Sequence, residues 1–137
     1  MFQKRFTPQE ANKRLPLIRK IVLDILEIGK TFKKIIETSP AGTDIPQEAL
    51  LLKEEMQELM IELEDLGCFF KDWNFEIGLV DFPSLIEGRE VLLCWRSDEP
   101  EIRWYHGIDE GFTGRKPIPE HLLNLTGSSA VPTSPEF

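Results

Sequence analysis

The stretch TPQEANKRLPLIRKIVLDILEIGKTFKKIIET, residues 7–38, decides the architecture. Thr7 is a good N-cap residue, Pro8 fills the first helical position where its missing N–H costs nothing, and Glu10 completes a capping box. From there Ala11, Leu15, Ile18, Val22, Ile25, Gly29, Phe32 and Ile36 recur at alternating steps of four and three, the pattern of a coiled-coil seam. The spacing predicts a helix over 8–37. Pro16 falls inside it and removes one i to i−4 hydrogen bond, so a kink is expected there.

Ser39-Pro40-Ala41-Gly42-Thr43 is turn chemistry, and Asp44 with Gln47 repeats the capping signature. Ile45, Ala49, Leu52, Met56, Leu59, Leu63 and Leu66 form a second seam, ended by Gly67 as a left-handed C-terminal residue. Two seams joined by a short turn make an antiparallel helical hairpin over 7–67. Residues 8–37 carry seven Lys/Arg against four acidic residues, whereas 45–66 carry seven acidic residues against Lys53, so the helices attract each other. Leu17, Ile21, Ile28 and Ile35 on the first helix and Leu50, Leu51, Met60 and Ile61 on the second lie off the seam. A hairpin alone cannot bury them, which implies a covering β segment, pairing of two hairpins in a homodimer, or both.

From Cys68 the period changes, aromatic residues concentrate, and Gly, Pro and Asp punctuate short apolar runs. Strands are expected at Phe69–Trp73, Gly78–Phe82, Glu90–Arg96 and Glu101–His106, with Ser97-Asp98-Glu99-Pro100 as a hairpin loop. Pairing Arg96 with Glu101 sets Val91, Leu93, Trp95, Ile102 and Trp104 on one buried face and leaves Cys94 on the other, away from His106. A one-residue slip brings Cys94 opposite Trp104 and diagonal to His106, but separates Arg96 from Glu101. Residues 108–119 are expected to be ordered loop, with Phe112 anchored in the core, and 120–125 a helical turn. The whole is one α+β domain over 1–126: the kinked hairpin, then a small antiparallel β segment and loop over 68–126 packed on it. A Ser/Pro/Thr-rich tail, 127–137, is expected to be disordered.

Composition narrows the function classes. At 137 residues the chain holds one modest core, and no apolar run approaches the roughly 20 residues that a membrane span needs. A net charge of −8 disfavours nucleic acid, and the basic N-terminus leads into a charged helix rather than a secretion signal. Two cysteines, Cys68 and Cys94, read as buried thiols of a cytoplasmic protein.

Cys94 and His106, with Asp81 or Glu99 to orient the ring, would make a nucleophile pair. The favoured register separates them, and Cys94 inside Val91-Leu92-Leu93-Cys94-Trp95 reads as a small core hydrophobe. Cys68, Cys94, His106 and His121 lack the short spacings of metal sites, so no metal and no cofactor is expected. Glu54, Glu55, Glu58, Glu62 and Asp65 on the second helix lack a Glu-x-x-His partner and read as a solvated acidic face. Gly111-Phe112-Thr113-Gly114-Arg115-Lys116-Pro117 is a Gly-spaced loop whose Arg115, with Arg96, Glu99, Arg103 and His106 nearby in sequence, is the best candidate for holding an anion or small molecule.

Thr7-Pro8-Gln9-Glu10-Ala11-Asn12, Leu15-Pro16, Gly78-Leu79-Val80-Asp81-Phe82-Pro83, Leu93-Cys94-Trp95-Arg96, Glu99, Trp104-Tyr105-His106 and Gly111-Phe112-Thr113-Gly114-Arg115 together resemble a prokaryotic family known as domain of unknown function 2203, over about residues 5 to 118. The resemblance carries no activity. Its motifs cluster in the β segment, which implies a polar site formed by Asp81, Arg96, Glu99, His106 and Arg115. The expected function is a non-catalytic cytosolic binding or assembly protein, a homodimer through its hairpin and open to a further protein partner. The alternative is a ligand-binding domain or enzyme that uses the polar site.

Overall fold

The computed structural model describes residues 5–71 and 74–123. The tail over 127–137 and Trp73, expected to end the first strand, lie outside the described residues.

Helix α1 spans Pro8–Thr38 and starts as its capping box requires: Glu10 N–H donates to Thr7 Oγ1 at 3.0 Å, and Thr7 N–H to Glu10 Oε1 at 2.9 Å. It continues without a break through exposed Pro16. Helix α2 spans Gln47–Leu66, starting two residues later than the seam suggests because Pro46, not Asp44, stands at its N-cap. Ile45 is thereby left outside the helix and half exposed. Gly67 ends α2 in the left-handed conformation, with its N–H on Glu64 O and the Cys68 N–H on Leu63 O.

Five strands follow: β1 (Phe69–Phe70), β2 (Leu79–Ile86), β3 (Arg89–Arg96), β4 (Trp104–Gly107) and β5 (Lys116–Pro117), before a last helical turn, α3 (Glu120–Leu123). They form an antiparallel sheet in chain order. Strand β2 runs on past its expected end, through Pro83. The Pro83 carbonyl accepts from Phe6 N–H at 2.8 Å, on the side away from β3, so the missing proline N–H falls where no ladder bond is lost. Glu87 and Gly88, at φ 53° and 80°, make the two-residue turn from β2 to β3.

The helical hairpin covers one face of this sheet. Leu15, Ile18, Val22 and Ile25 of α1 and Met56 and Leu63 of α2 share a core with Val80, Phe82, Val91, Leu93 and Trp95. Ile21 is buried in the same core, whereas Leu17, Leu50, Leu51 and Ile61 stay exposed. Gly29 admits the buried ring of Phe75, because a Cβ there would stand 2.3 Å from a Phe75 ring carbon.

Between β3 and β4 the register is the slipped one: Leu93 faces Tyr105 and Cys94 faces Trp104. The reason lies on α1. Ile102 does not pair with Trp95, because Asn12 claims both of its backbone groups: Ile102 N–H donates to Asn12 Oδ1 at 2.8 Å, and Asn12 Nδ2 donates to Ile102 O at 3.1 Å. Trp95 Nε1–H instead donates to Glu99 O at 2.9 Å, while Arg19 reaches Glu99 O and Pro100 O at 3.2 Å and lies over the Trp95 ring.

Two substitutions test this packing by urea denaturation. Asn12→Ala leaves the Ile102 backbone groups unpaired and should cost about 2–4 kcal/mol. In an open helix Gly→Ala gains about 1 kcal/mol; Gly29→Ala should instead lose about 1–3 kcal/mol through overpacking against Phe75.

Candidate functional site

Along β3, Val91, Leu93 and Trp95 face the helices, so Leu92 and Cys94 face the other way. On that outer face Cys94 stands between Asp81 of β2 and Trp104 of β4, and His106 lies one pair further along, opposite Leu92. Asp81, Cys94 and His106 are 4%, 2% and 3% exposed, and their carboxylate, thiol and imidazole ligand atoms all lie within 4.8 Å of one another. The expectation that Cys94 is a core hydrophobe remote from His106 is corrected. The thiol is buried, but in a polar cluster outside the helix-facing core. Spacing along single elements did not link these three residues, and the sheet brings them together from three strands.

His106 Nδ1 lies 2.8 Å from Gly107 O, and a carbonyl only accepts, so Nδ1 holds a proton. Nε2 sits 3.2 Å from Asp81 Oδ1. Burial raises the Asp81 carboxyl above its ordinary value, partly offset by the His106 charge and hydrogen bond. Burial, reinforced by the Asp81 charge, pushes the Cys94 thiol up to about 12. At neutral pH the thiol is protonated and enclosed, so Cys94 and His106 do not make a ready nucleophile pair.

The remaining expected site residues form two separate pairs. Glu99 Oε1 accepts from the Arg96 N–H at 2.8 Å and from Arg115 Nη2 at 2.7 Å. Arg115 Nη2 also donates to Cys94 O at 3.1 Å, and its guanidinium lies over the rings of Phe112 and Trp104, at 4.5 and 5.1 Å. Phe112 is therefore not a core anchor: it is half-buried and stacks under Arg115, with Arg96 at 5.5 Å. Arg96 forks onto Asp98 at 2.7 and 3.0 Å, which lowers the Asp98 carboxyl and raises the guanidinium. The loop after β4 is tied by Glu110, which accepts from Gly107 N–H at 2.8 Å and Lys116 Nζ at 3.2 Å. Asp81 and His106 thus form one unit, Glu99 and Arg115 another beside it, and Arg96 points to its own loop.

A second feature lies on the hairpin. Between α1 and α2 an open groove of about 540 Å³ is floored by Ile28, Leu52, Leu59 and Ile61 and rimmed by Asp24, Glu27, Glu55, Glu58, Glu62 and Asp65. The acidic face expected to be merely solvated flanks an apolar trough. Its α2 residues were visible in the sequence; that Asp24, Glu27 and Ile28 of α1 join them follows from how the helices pack.

The buried thiol sets a pH dependence. Cys94 has a folded pKa above the unfolded value, so its contribution is full below the unfolded value of 9.0 and is lost as pH rises toward about 12. Between pH 9 and 10, in buffer containing a chelator, the unfolding free energy should fall more steeply in the wild type than in Cys94→Ala, by up to about 1.4 kcal/mol per pH unit. Parallel urea-denaturation profiles would contradict the assignment.

Among the described residues no helix is long and apolar enough to cross a membrane. No curated protein and no solved structure matches the chain at a significant level. A family model does match, over residues 4–118, which include α1, α2, all five strands and the Asp81–Cys94–His106 cluster. The chain therefore belongs to the family described as an uncharacterized conserved protein (DUF2203).

Proposed function

We propose that this protein is a non-catalytic binding and assembly protein of the cytosol, which pairs with a second copy of itself through the helical hairpin. The observation that carries the reading is the acid-rimmed apolar groove between α1 and α2, together with a complementary stripe on the same hairpin. Lys13, Leu17 and Lys20 recur at helical spacing on exposed α1, with Arg14 beside them. A leucine flanked by cations fits a trough floored by Ile28 and Leu59 and edged by carboxylates.

Two chains of net charge −8 repel each other at long range, so association needs this local pairing of opposite patches. The 31-residue α1 extends about 46 Å, long enough to supply the roughly 800 Å² per partner of a standard interface. Free buried thiols favour a reducing compartment. The alternative, an anion site on Arg96 and Arg115, is less well supported, since Asp98 and Glu99 hold those guanidiniums at 2.7 Å, whereas Lys20 of the stripe meets Asp24 only at 3.6 Å and stays exposed.

Light scattering tests the reading by charge exchange. The wild type should run at twice its 15.8 kDa chain mass. Glu58→Lys with Glu62→Lys should return it to the monomer, and adding Lys13→Glu with Lys20→Glu should restore the dimer. A wild-type monomer at all concentrations, or no recovery in the four-fold variant, would refute pairing through these patches.

A further inference from the structure

The geometry points to a mononuclear transition-metal site, of the zinc class, formed by Asp81, Cys94 and His106 on the outer face of the sheet. Three different ligand types converge from three adjacent strands, with their ligand atoms all within 4.8 Å of one another. Around tetrahedral zinc, with ligand bonds of about 2.0–2.3 Å, donor atoms stand roughly 3.3–3.8 Å apart. Contraction by about 1 Å brings this set onto a metal.

The imidazole is set for the task. Because Nδ1–H is committed to Gly107 O, a neutral ring turns the lone pair of Nε2 toward Asp81 and Cys94. Metal-bound histidines are held in this way, by a backbone carbonyl on the far nitrogen. In that tautomer Nε2 is an acceptor aimed at Asp81, and the 3.2 Å gap between them is closed by one proton in the metal-free protein, a place that a cation can take instead. A metal dication displaces the thiol proton of Cys94, and that of Asp81 where present, to water. The thiolate and carboxylate then cancel its two charges, so the buried centre is neutral. The nearby guanidinium of Arg115 does not oppose this, since Glu99 neutralises it at 2.7 Å. Mixed sulfur, nitrogen and oxygen donors select zinc, or cobalt as its probe, over magnesium and calcium. Three protein ligands leave a fourth position, as in zinc sites that bind water or a substrate.

The test uses the full chain stripped of metal with a chelator and titrated with Co²⁺, then with Zn²⁺ in competition with a chromophoric chelator. One equivalent of Co²⁺ should give a thiolate-to-cobalt charge-transfer band with the intense visible bands of a four-coordinate site, and Zn²⁺ should abolish both. Cys94→Ser should remove the charge-transfer band. Asp81→Asn and His106→Ala should each weaken Zn²⁺ binding on the order of 100-fold, while His121→Ala, at an exposed position, should leave it unchanged. Circular dichroism identifies any variant that fails to fold, and the wild-type cobalt spectrum decides the matter without variants. No uptake, or Co²⁺ bound without a charge-transfer band, would overturn the site and leave Asp81 and His106 as an ordinary buried ion pair. Neither outcome depends on whether the protein dimerises.

Discussion

The side chain of Asn12 holds the molecule's two halves in register. It offers Ile102 one donor and one acceptor, as a neighbouring strand would, across 90 positions of sequence. With Ile102 fastened to α1, the segment after β3 does not turn back as a tight hairpin, and β4 starts at Trp104. That offset of one residue decides which side chains share the outer face. Pairing Trp95 with Ile102 would have put His106 on the helix-facing side; the actual pairing places it beside Cys94 and Asp81. Arg19, bonded to the carbonyls of Glu99 and Pro100 and lying over Trp95, reinforces the same anchorage.

The helices were legible in the sequence because their signals are local. Thr7, Pro8 and Glu10 announce one start, Gly67 announces one stop, and the four-three periodicity fixes which face of α1 is buried as far as Gly29. Legibility failed where distant segments decide the outcome. Pro83 looked like the end of a strand because its harmless direction depends on Phe6, nearly eighty residues away. Glu87-Gly88 did not stand out as a hairpin turn, since Glu is an uncommon residue at positive φ. The polar site was half legible. Asp81 and His106 were picked out and are in contact, but the role of Cys94 depended on the register that Asn12 imposes.

Charge is distributed by layer. The acidic groove lies on the hairpin, whereas the outer sheet face balances its ions locally, Glu99 against Arg115 and Asp98 against Arg96. The aromatic rings of Trp104 and Phe112 sit against the Arg115 guanidinium and limit its contact with water, which strengthens its bond to Glu99. At Asp81 and Cys94 burial outweighs the partial compensation from His106 and Arg115, and both are held toward their protonated forms.

A sheet with helices on only one side divides its strands by parity. In β3 the odd positions Val91, Leu93 and Trp95 face the helices, and the even positions Leu92 and Cys94, also buried, lie on the opposite face of the sheet. Selection for a stable fold therefore constrains one set and selection for outer-face chemistry the other, although the two alternate along the same short segment. A substitution at an even position changes the outer face while the odd-numbered residues keep the hairpin seated. A residue inserted anywhere between Arg89 and Arg96 would exchange the two sets downstream and forfeit both at once.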